Sequence, residues 1–232
     1  MRLHEIENQF DSVWHDHILT ECSDIVKLYK SNPDKVFYRG LKGDLPYIFK
    51  DQSRSNRTPR DSVVWISQLY DMSLAKLGVN ALRSNSIFVT SDPDSAIAYG
   101  RVYVIFPVNG FDYSYTNWRD IVLTPYLASK ILDEDMWEAI ISHPNFDKQY
   151  FWQQSLTLKG LEDYLNKLFD HKIRVDVDEL VDLDRFQSTF KIYDTNLQTP
   201  LQEGKEVCIK GQYYAISADE YEKRIQQYLS LL

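Results

Sequence analysis

Residues 86–106 read SIFVTSDPDSAIAYGRVYVIF and predict a strand, a short helix and a second strand in close succession. The run Ile87–Thr90 is rich in β-branched and aromatic residues, as strands are, and so is Val102–Phe106, which is followed by a proline. Between the two runs, Asp92 precedes Pro93, and a capping residue before a proline at the first helical position indicates the start of a helix. This stretch therefore indicates a chain that mixes strands with helices.

Strands and helices are also predicted on both sides of this stretch. Residues 3–31 carry apolar side chains at steps of three and four, which predicts a helix, and residues 41–60 are expected to form a loop. The other predicted elements are the strand Val36–Gly40, a helix that ends at Leu77, mostly helical structure over 125–190, the strands Glu206–Ile209 and Tyr213–Ile216, and a last helix Ala218–Leu231 capped by Ser217. We therefore expect one α+β domain over residues 1–232, with paired strands around a cleft, an N-terminal helical segment at 1–34 and a helical insert at 125–190.

The composition is that of an acidic chain with an ordinary hydrophobic content. Of the 232 residues, 44% are hydrophobic and 26% are charged, and the formal net charge is −8. Nonspecific binding to nucleic acid depends on Lys and Arg side chains that neutralise phosphates, so this charge argues against an extended nucleic-acid surface but allows a local basic groove. The basic stretch Lys50–Arg60 is the candidate for such a groove. Without an apolar signal region or an apolar run of membrane length, the expected location is the cytoplasm, with no membrane partner.

Several kinds of site are disfavoured by the motifs that the sequence lacks. The two cysteines, Cys22 and Cys208, lie far apart and outside any CxxC or Cys/His cluster, so neither a disulfide framework nor a metal site is expected. The sequence contains no P-loop, no GxGxxG segment, no HExxH motif and no GxSxG elbow. These absences argue against the enzyme classes that the motifs mark.

Three short segments carry residues suited to nucleotide chemistry. They are Phe37–Gly40, then Ser86–Asp92 with Ala96–Gly100, and finally Glu203–Val207. Their order and spacing resemble the ADP-ribosyltransferase superfamily, which places an Arg on an early strand, an aromatic or Ser-Thr-Ser strand next, and a catalytic Glu on a late strand. The resemblance spans residues 35–120 and 200–217, and it implies split antiparallel sheets around a cleft that binds NAD as a co-substrate, without a metal.

The first two segments supply the residues that this resemblance assigns to NAD binding. Arg39 matches the Arg of the toxin-like branch, where a planar and permanently charged guanidinium holds the diphosphate or ribose, and Gly40 lies beside it. Thr90 and Ser91 match the end of a Ser-Thr-Ser motif whose first position is Val89 here. For Arg39, the competing interpretation is a solvated cation at the end of a strand.

Other features match the poly(ADP-ribose) polymerase-like branch, so the pattern is mixed. Phe88 occupies the position of its strand tyrosine, and Tyr99 occupies that of the tyrosine that stacks on nicotinamide, an arrangement favoured by stacking and cation–π attraction. Both rings have an alternative role in a hydrophobic core. Arg57 and Arg60, on the basic loop, are expected to meet phosphate in the cleft, and a solvated basic loop is the alternative.

Glu206 is the expected catalytic residue, together with Arg39. Breaking the nicotinamide–ribose bond develops positive charge on the ribose, which a nearby carboxylate stabilises. Families that modify arginine carry a second carboxylate two residues earlier, and Gly204 occupies that position here, which disfavours arginine as the acceptor. The alternative role for Glu206 is an exposed charge at the start of a strand.

The sequence thus predicts a mono-ADP-ribosyltransferase that transfers ADP-ribose from NAD to a macromolecular acceptor, either a protein side chain or a nucleic acid. Small enzymes of this superfamily commonly act as toxins or in conflict between bacteria and phages, which makes an antitoxin or regulator a candidate partner, and the sequence leaves open whether one is needed. Two alternatives remain at this point. One is an NAD glycohydrolase, in which water replaces the acceptor, and the other is a binding module that keeps the fold without the chemistry.

Overall fold

The computed structural model describes residues 14–58, 62–118, 125–170 and 175–225 as an α+β structure with two antiparallel sheets. The strands are β1 Tyr38–Leu41, β2 Ile48–Gln52, β3 Ile87–Val89, β4 Arg101–Pro107, β5 Asp112–Tyr115, β6 Val207–Lys210 and β7 Gln212–Ser217. The helices are α1 (residues 14–21), α2 Ser23–Ser31, α3 Val64–Lys76, α4 Pro93–Ile97, α5 Pro125–Ala128, α6 Glu134–Ser142, α7 Lys148–Phe151, α8 Leu158–Leu168, α9 Leu183–Phe190, α10 Gln198–Glu203 and α11 Ala218–Glu220, which continues into a π-helix Tyr221–Ile225.

The first sheet has the strand order β1-β4-β7-β2, and the second has the order β3-β6-β5. All of their pairings are antiparallel. One backbone bridge joins the sheets: the Tyr38 amide donates to the Thr90 carbonyl at 2.7 Å, and the Thr90 amide donates to the Tyr38 carbonyl at 3.0 Å. The end of β3 therefore lies against the start of β1, and the two sheets diverge from this point.

Two hydrophobic clusters stabilise the described residues. In the first, α2 packs on the face of the first sheet that carries Phe106, and the buried Tyr29 hydroxyl donates to the Ile105 carbonyl at 2.7 Å. The second cluster joins α3 to the helices of 125–190, around rings such as Trp65, Phe151 and Phe186. The Ile87 and Val89 side chains of β3 are buried in the first cluster. Glu206, just before β6, lies next to the second cluster, because it lines a cavity together with Tyr70 and Leu74 of α3.

The helix between β3 and β4 follows the sequence prediction closely. The Asp92 carboxylate accepts a hydrogen bond from the Asp94 amide at 3.1 Å, and Pro93 occupies the first turn, so the predicted start of α4 is confirmed. This helix lies directly on β1, because a Cβ atom added to Gly40 would stand 2.0 Å from the carbonyl oxygen of Ala96. No larger residue would allow this close approach.

Three details differ from the sequence-based expectations. Residues 48–52, expected within a loop, form β2 at the edge of the first sheet, where pairing with β7 compensates for a polar sequence. The Ser217 side chain does not cap the helix after it, and that helix changes to π geometry at Tyr221. Glu206 lies just before β6 rather than within it. The predicted structure of residues 1–13 and 226–231 lies outside the described residues.

None of the helices in the described ranges combines the length and the apolar character that crossing a bilayer would require.

Candidate functional site

Arg39, Thr90 and Glu206 come together where the two sheets diverge. Arg39 follows Tyr38, the β1 residue that bridges to Thr90. Strands β3 and β6 pair Val89 with Val207, and continuing this antiparallel register by one residue places Thr90 opposite Glu206. The Thr90 hydroxyl donates to the carbonyl of Gly204 at 3.3 Å, which ties the end of β3 to the segment that carries Glu206.

Glu206 forms an ion pair with Arg83, a residue that sequence reasoning missed. The Arg83 Nη1 atom donates to the Glu206 Oε1 atom at 2.7 Å, and the two side chains are only 16% and 20% exposed. Burial alone would lower the pKa of the Arg83 guanidinium, but the charge of Glu206 and its hydrogen bond raise that pKa, and the net shift is upward. The Arg83 guanidinium therefore keeps its positive charge at any physiological pH. Arg83 belongs to no motif, and nothing in its local sequence distinguishes it from a surface arginine.

Two guanidinium groups lie over the aromatic ring of Phe88, so this ring does not present an open face. The Arg57 guanidinium carbon lies 3.8 Å from the centre of the Phe88 ring, and that of Arg83 lies 4.5 Å from it. Both distances are within the range of cation–π attraction. Burial lowers the pKa of Arg57, and the charges of Arg83 and Arg39 lower it further, while Glu206 opposes these effects. A planar cationic group is thus already favoured at the ring that the resemblance assigns to the nicotinamide site.

Arg39 contributes a further buried cation to the same region. Its Nη1 atom is buried and has no hydrogen-bond partner among the described residues. Burial lowers the pKa of Arg39, with a further lowering by the nearby charge of Arg54, while Tyr213 and Asp51 raise it. Arg39 is close enough to Arg57 to lower the pKa of that residue.

The charges around Glu206 do not balance within this cluster. The three guanidinium groups of Arg39, Arg57 and Arg83 outnumber the two nearby carboxylates, that of Glu206 and that of Asp71, which lies close enough to Arg83 for the charge of Arg83 to lower its pKa. Guanidinium groups bind phosphate oxygens through two parallel hydrogen bonds, and a diphosphate diester carries two negative charges. The cluster of Arg39, Arg57, Arg83 and Glu206, here called the arginine cluster, therefore has the charge and the donors to hold a diphosphate.

A buried carboxylate holds the loop that carries Arg83. Asp71, on α3, accepts hydrogen bonds from the amides of Arg83 at 2.8 Å and of Ser84 at 2.9 Å. The Ser84 carbonyl in turn accepts a hydrogen bond from the Arg57 amide at 2.7 Å. The two guanidinium groups on Phe88 thus belong to loops that are joined to each other and to α3.

The remaining predicted residues have other surroundings. Ser91 is 3% exposed, and its hydroxyl donates to the Pro200 carbonyl at 3.5 Å, so it belongs to the interior rather than to an open cleft. Gly40 provides the space for α4, and Tyr99, just after α4, is 56% exposed. The predicted phosphate ligand Arg60 lies outside the described residues.

The space beside Glu206 is small in this conformation. A cavity of about 20 Å³ is lined by Arg83, Glu206 and Cys208, among others, and this volume suits one water molecule. Burial raises the pKa of the Cys208 thiol to about 12, so at neutral pH this thiol is protonated and is a poor nucleophile.

The described ranges contain no group of three or more His, Cys, Asp and Glu side chains arranged to hold a metal ion. No family model, curated protein or solved structure matches this chain. The described residues provide the carboxylate of Glu206 beside three arginines and an aromatic ring, at the junction of two antiparallel sheets.

Proposed function

We propose that this chain is a mono-ADP-ribosyltransferase of the ADP-ribosyltransferase fold that uses NAD as its substrate. The observation that carries the proposal is the meeting of Arg39, Thr90 and Glu206 at the junction between the sheets. These three residues stand far apart in the sequence, and they are the ones that the resemblance assigns to diphosphate binding, to the central strand and to catalysis.

The electrostatics of the arginine cluster support a substrate that contains a diphosphate. Its excess of positive charge favours the two negative charges of the NAD diphosphate, and the buried Nη1 atom of Arg39 has a hydrogen-bonding capacity that no described residue uses. Arg57 and Arg83 present planar guanidinium groups beside Arg39. In this role Arg83 exchanges Glu206 for a phosphate oxygen, and the carboxylate of Glu206 then becomes available to the ribose.

In the proposed reaction, Glu206 stabilises the positive charge that develops on the ribose. The bond between ribose C1′ and the nicotinamide nitrogen breaks, and its electron pair leaves with nicotinamide. A nucleophile of the acceptor then forms a bond to C1′ and loses its proton. Glu206 acts by binding the ribose 2′-hydroxyl and by placing negative charge next to the reacting carbon.

The acceptor is a macromolecule, a protein side chain or a nucleic acid. Gly204 takes the place of the second carboxylate of arginine-modifying families, and its positive φ of 69° marks the C-terminal end of α10, which holds it in a turn. Arginine is accordingly disfavoured as the acceptor. A role as a toxin or in conflict between bacteria and phages, with an antitoxin or regulator as a candidate partner, follows from the resemblance and forms part of the proposal, as does the cytoplasmic location expected from the sequence.

A second candidate function is a binding module without catalysis. Two observations favour it: the Glu206 carboxylate is already paired with Arg83, and the cavity beside it has a volume of only about 20 Å³. An NAD glycohydrolase differs from the transferase only in the identity of the nucleophile, and the same experiment separates it.

The test is incubation of the purified protein with NAD labelled in the adenylate part and a cell lysate, followed by separate digestion with protease and nuclease. The Glu206→Gln variant is measured in parallel. Glu203→Gln serves as a matched control, because Glu203 is a neighbouring carboxylate, 54% exposed, that pairs with Lys205 at 2.6 Å. If the protein is a transferase, the unmodified protein and the Glu203→Gln variant both transfer label to the lysate. The Glu206→Gln variant then transfers label at least about a hundredfold more slowly.

The digestion that removes the label identifies the class of the acceptor. Free nicotinamide without transferred label would indicate the glycohydrolase. Binding of NAD without release of nicotinamide would indicate the binding module, and the absence of any NAD binding would overturn the proposal.

A further inference from the structure

Asp71 is a buried charged residue of α3, a helix whose other buried residues are mostly apolar. It is 9% exposed and lies on α3 among the buried residues Trp65, Ile66, Leu69 and Leu74. A carboxylate in such surroundings is costly unless it is well hydrogen-bonded, so its presence calls for a specific partner. Its partners are the amides of Arg83 and Ser84, at 2.8 and 2.9 Å, and the Ser84 hydroxyl also interacts with it.

The turn that contains Arg83 has hydrogen bonds of its own. The Asn85 side chain accepts from the Leu82 amide at 2.8 Å, and the Asn85 amide donates to the Leu82 carbonyl at 3.3 Å. A second bond from the Asn85 side chain reaches the carbonyl of Asn80 at 3.1 Å. The loop conformation is thus supported locally, and Asp71 adds the attachment of this loop to α3.

Two arginines depend on that attachment. Arg83 places its guanidinium on Glu206 at 2.7 Å, and the Ser84 carbonyl accepts the Arg57 amide at 2.7 Å. Both guanidinium groups then lie within 4.5 Å of the centre of the Phe88 ring. A single carboxylate on α3 therefore fixes the backbone from which the two cations extend.

We propose that Asp71 is a positioning residue, which holds Arg83 and Arg57 at the distances needed to bind the diphosphate of the substrate and to pair with Glu206. It touches neither the substrate nor the reacting atoms, and it acts through the backbone of residues 83 and 84. The inference deepens the proposed function and relies on it only for the identity of the anion.

The test compares Asp71→Asn with Ser73→Ala in the full chain. The Asn side chain keeps the size of Asp but presents one acceptor oxygen and one NH2 group, so one of the two backbone amides loses its partner. Ser73 is an equally buried residue of the same helix whose hydroxyl donates only to the Leu69 carbonyl, at 2.8 Å. Two quantities are measured, the affinity for inorganic pyrophosphate by calorimetry and the side-chain Nε–Hε signals of Arg57 and Arg83 by NMR.

We expect Asp71→Asn to weaken pyrophosphate binding by about tenfold, which corresponds to the loss of one charge-assisted hydrogen bond, and to shift or broaden both arginine signals. Ser73→Ala leaves both quantities unchanged. If Asp71→Asn fails to fold, Ser84→Ala removes one partner of the same carboxylate, and we expect a smaller change in the same direction for both quantities.

Unchanged arginine signals and unchanged affinity in a folded Asp71→Asn or Ser84→Ala protein would overturn the positioning role. Equal effects of Asp71→Asn and Ser73→Ala would also overturn it, because the change would then reflect the packing of α3 alone. If the unmodified protein binds neither pyrophosphate nor NAD, the proposed function fails, and the arginine signals still decide the role of Asp71.

Discussion

The ion pair between Glu206 and Arg83 makes a quantitative prediction that does not depend on enzymatic activity. Glu206→Gln removes the negative charge and keeps the shape of the side chain, while Arg83→Gln removes the positive charge. The two side chains touch at 2.7 Å, so the double variant should be more stable than the sum of the two single changes predicts.

The exposure of the two side chains sets the size of this coupling. Exposed pairs contribute about 0–1 kcal/mol, and removing one partner of a fully buried pair costs about 3–5 kcal/mol. With exposures of 16% and 20%, this pair lies between these limits, and we expect a coupling free energy of about 2 kcal/mol. For a chain of this size, Glu206→Gln alone should lower Tm by about 4–8 °C.

The assay is urea unfolding of the four proteins of the double-mutant cycle at neutral pH. Asp163→Asn serves as the control, because Asp163 pairs with Lys159 on the surface, where the two side chains are 59% and 71% exposed. We expect that control to change stability by less than about 0.5 kcal/mol. A coupling free energy below about 0.5 kcal/mol between Glu206 and Arg83 would refute the reasoning, because it would mean that the two charges do not interact in solution.

Two further predictions concern packing and pH. Gly40→Ala should lower stability by about 1–3 kcal/mol, because its Cβ would stand 2.0 Å from the backbone oxygen of Ala96. Gly160→Ala should cost less, because its Cβ would meet the tip of the flexible Leu156 side chain at 2.9 Å and the Thr157 hydroxyl at 3.5 Å, and equal losses of unfolding free energy would contradict the contact at Gly40. Burial raises the pKa of Asp71 above 3.8 against the hydrogen bonds from Ser84 and Arg83, so its ionisation disfavours the folded state. The difference in unfolding free energy between the unmodified protein and Asp71→Asn, measured by urea titration, should therefore become smaller or more negative as the pH rises from 3.8 through the raised pKa of Asp71. A difference that increases with pH would contradict the assigned direction of the pKa shift.

Part of the fold was predictable because it follows from local rules. The strand, helix and strand of residues 86–106 are marked by β-branched runs and by the Asp92-Pro93 pair, and the structure has β3, α4 and β4 there. The α+β class followed from the same signals. Strand β2 was missed because only two of its five residues are apolar, and its conformation depends on pairing with β7 at the sheet edge.

Some residues of the candidate site were likewise proposed from the sequence, and others were seen only in the structure. Arg39, Phe88, Thr90 and Glu206 were proposed as candidates from their sequence context, and the pairing of β3 with β6 places the last three on or directly next to adjacent strands. Arg83 was not found, because its partner Glu206 is 123 residues away and nothing near either residue encodes that contact. The same holds for Asp71, which sequence reasoning treats as one polar residue of a helix.

The sequence by itself determined the approximate positions of β1, β3, β4, β6 and β7 and the start of α4, because backbone preferences and capping act over a few residues. Only the tertiary structure decided that Glu206 is paired with Arg83, that Phe88 carries two guanidinium groups, and that Asp71 supports the loop beneath them. These contacts arise when β3, β6 and α3 pack together, and burial then makes each charge depend on a partner that is distant in the sequence.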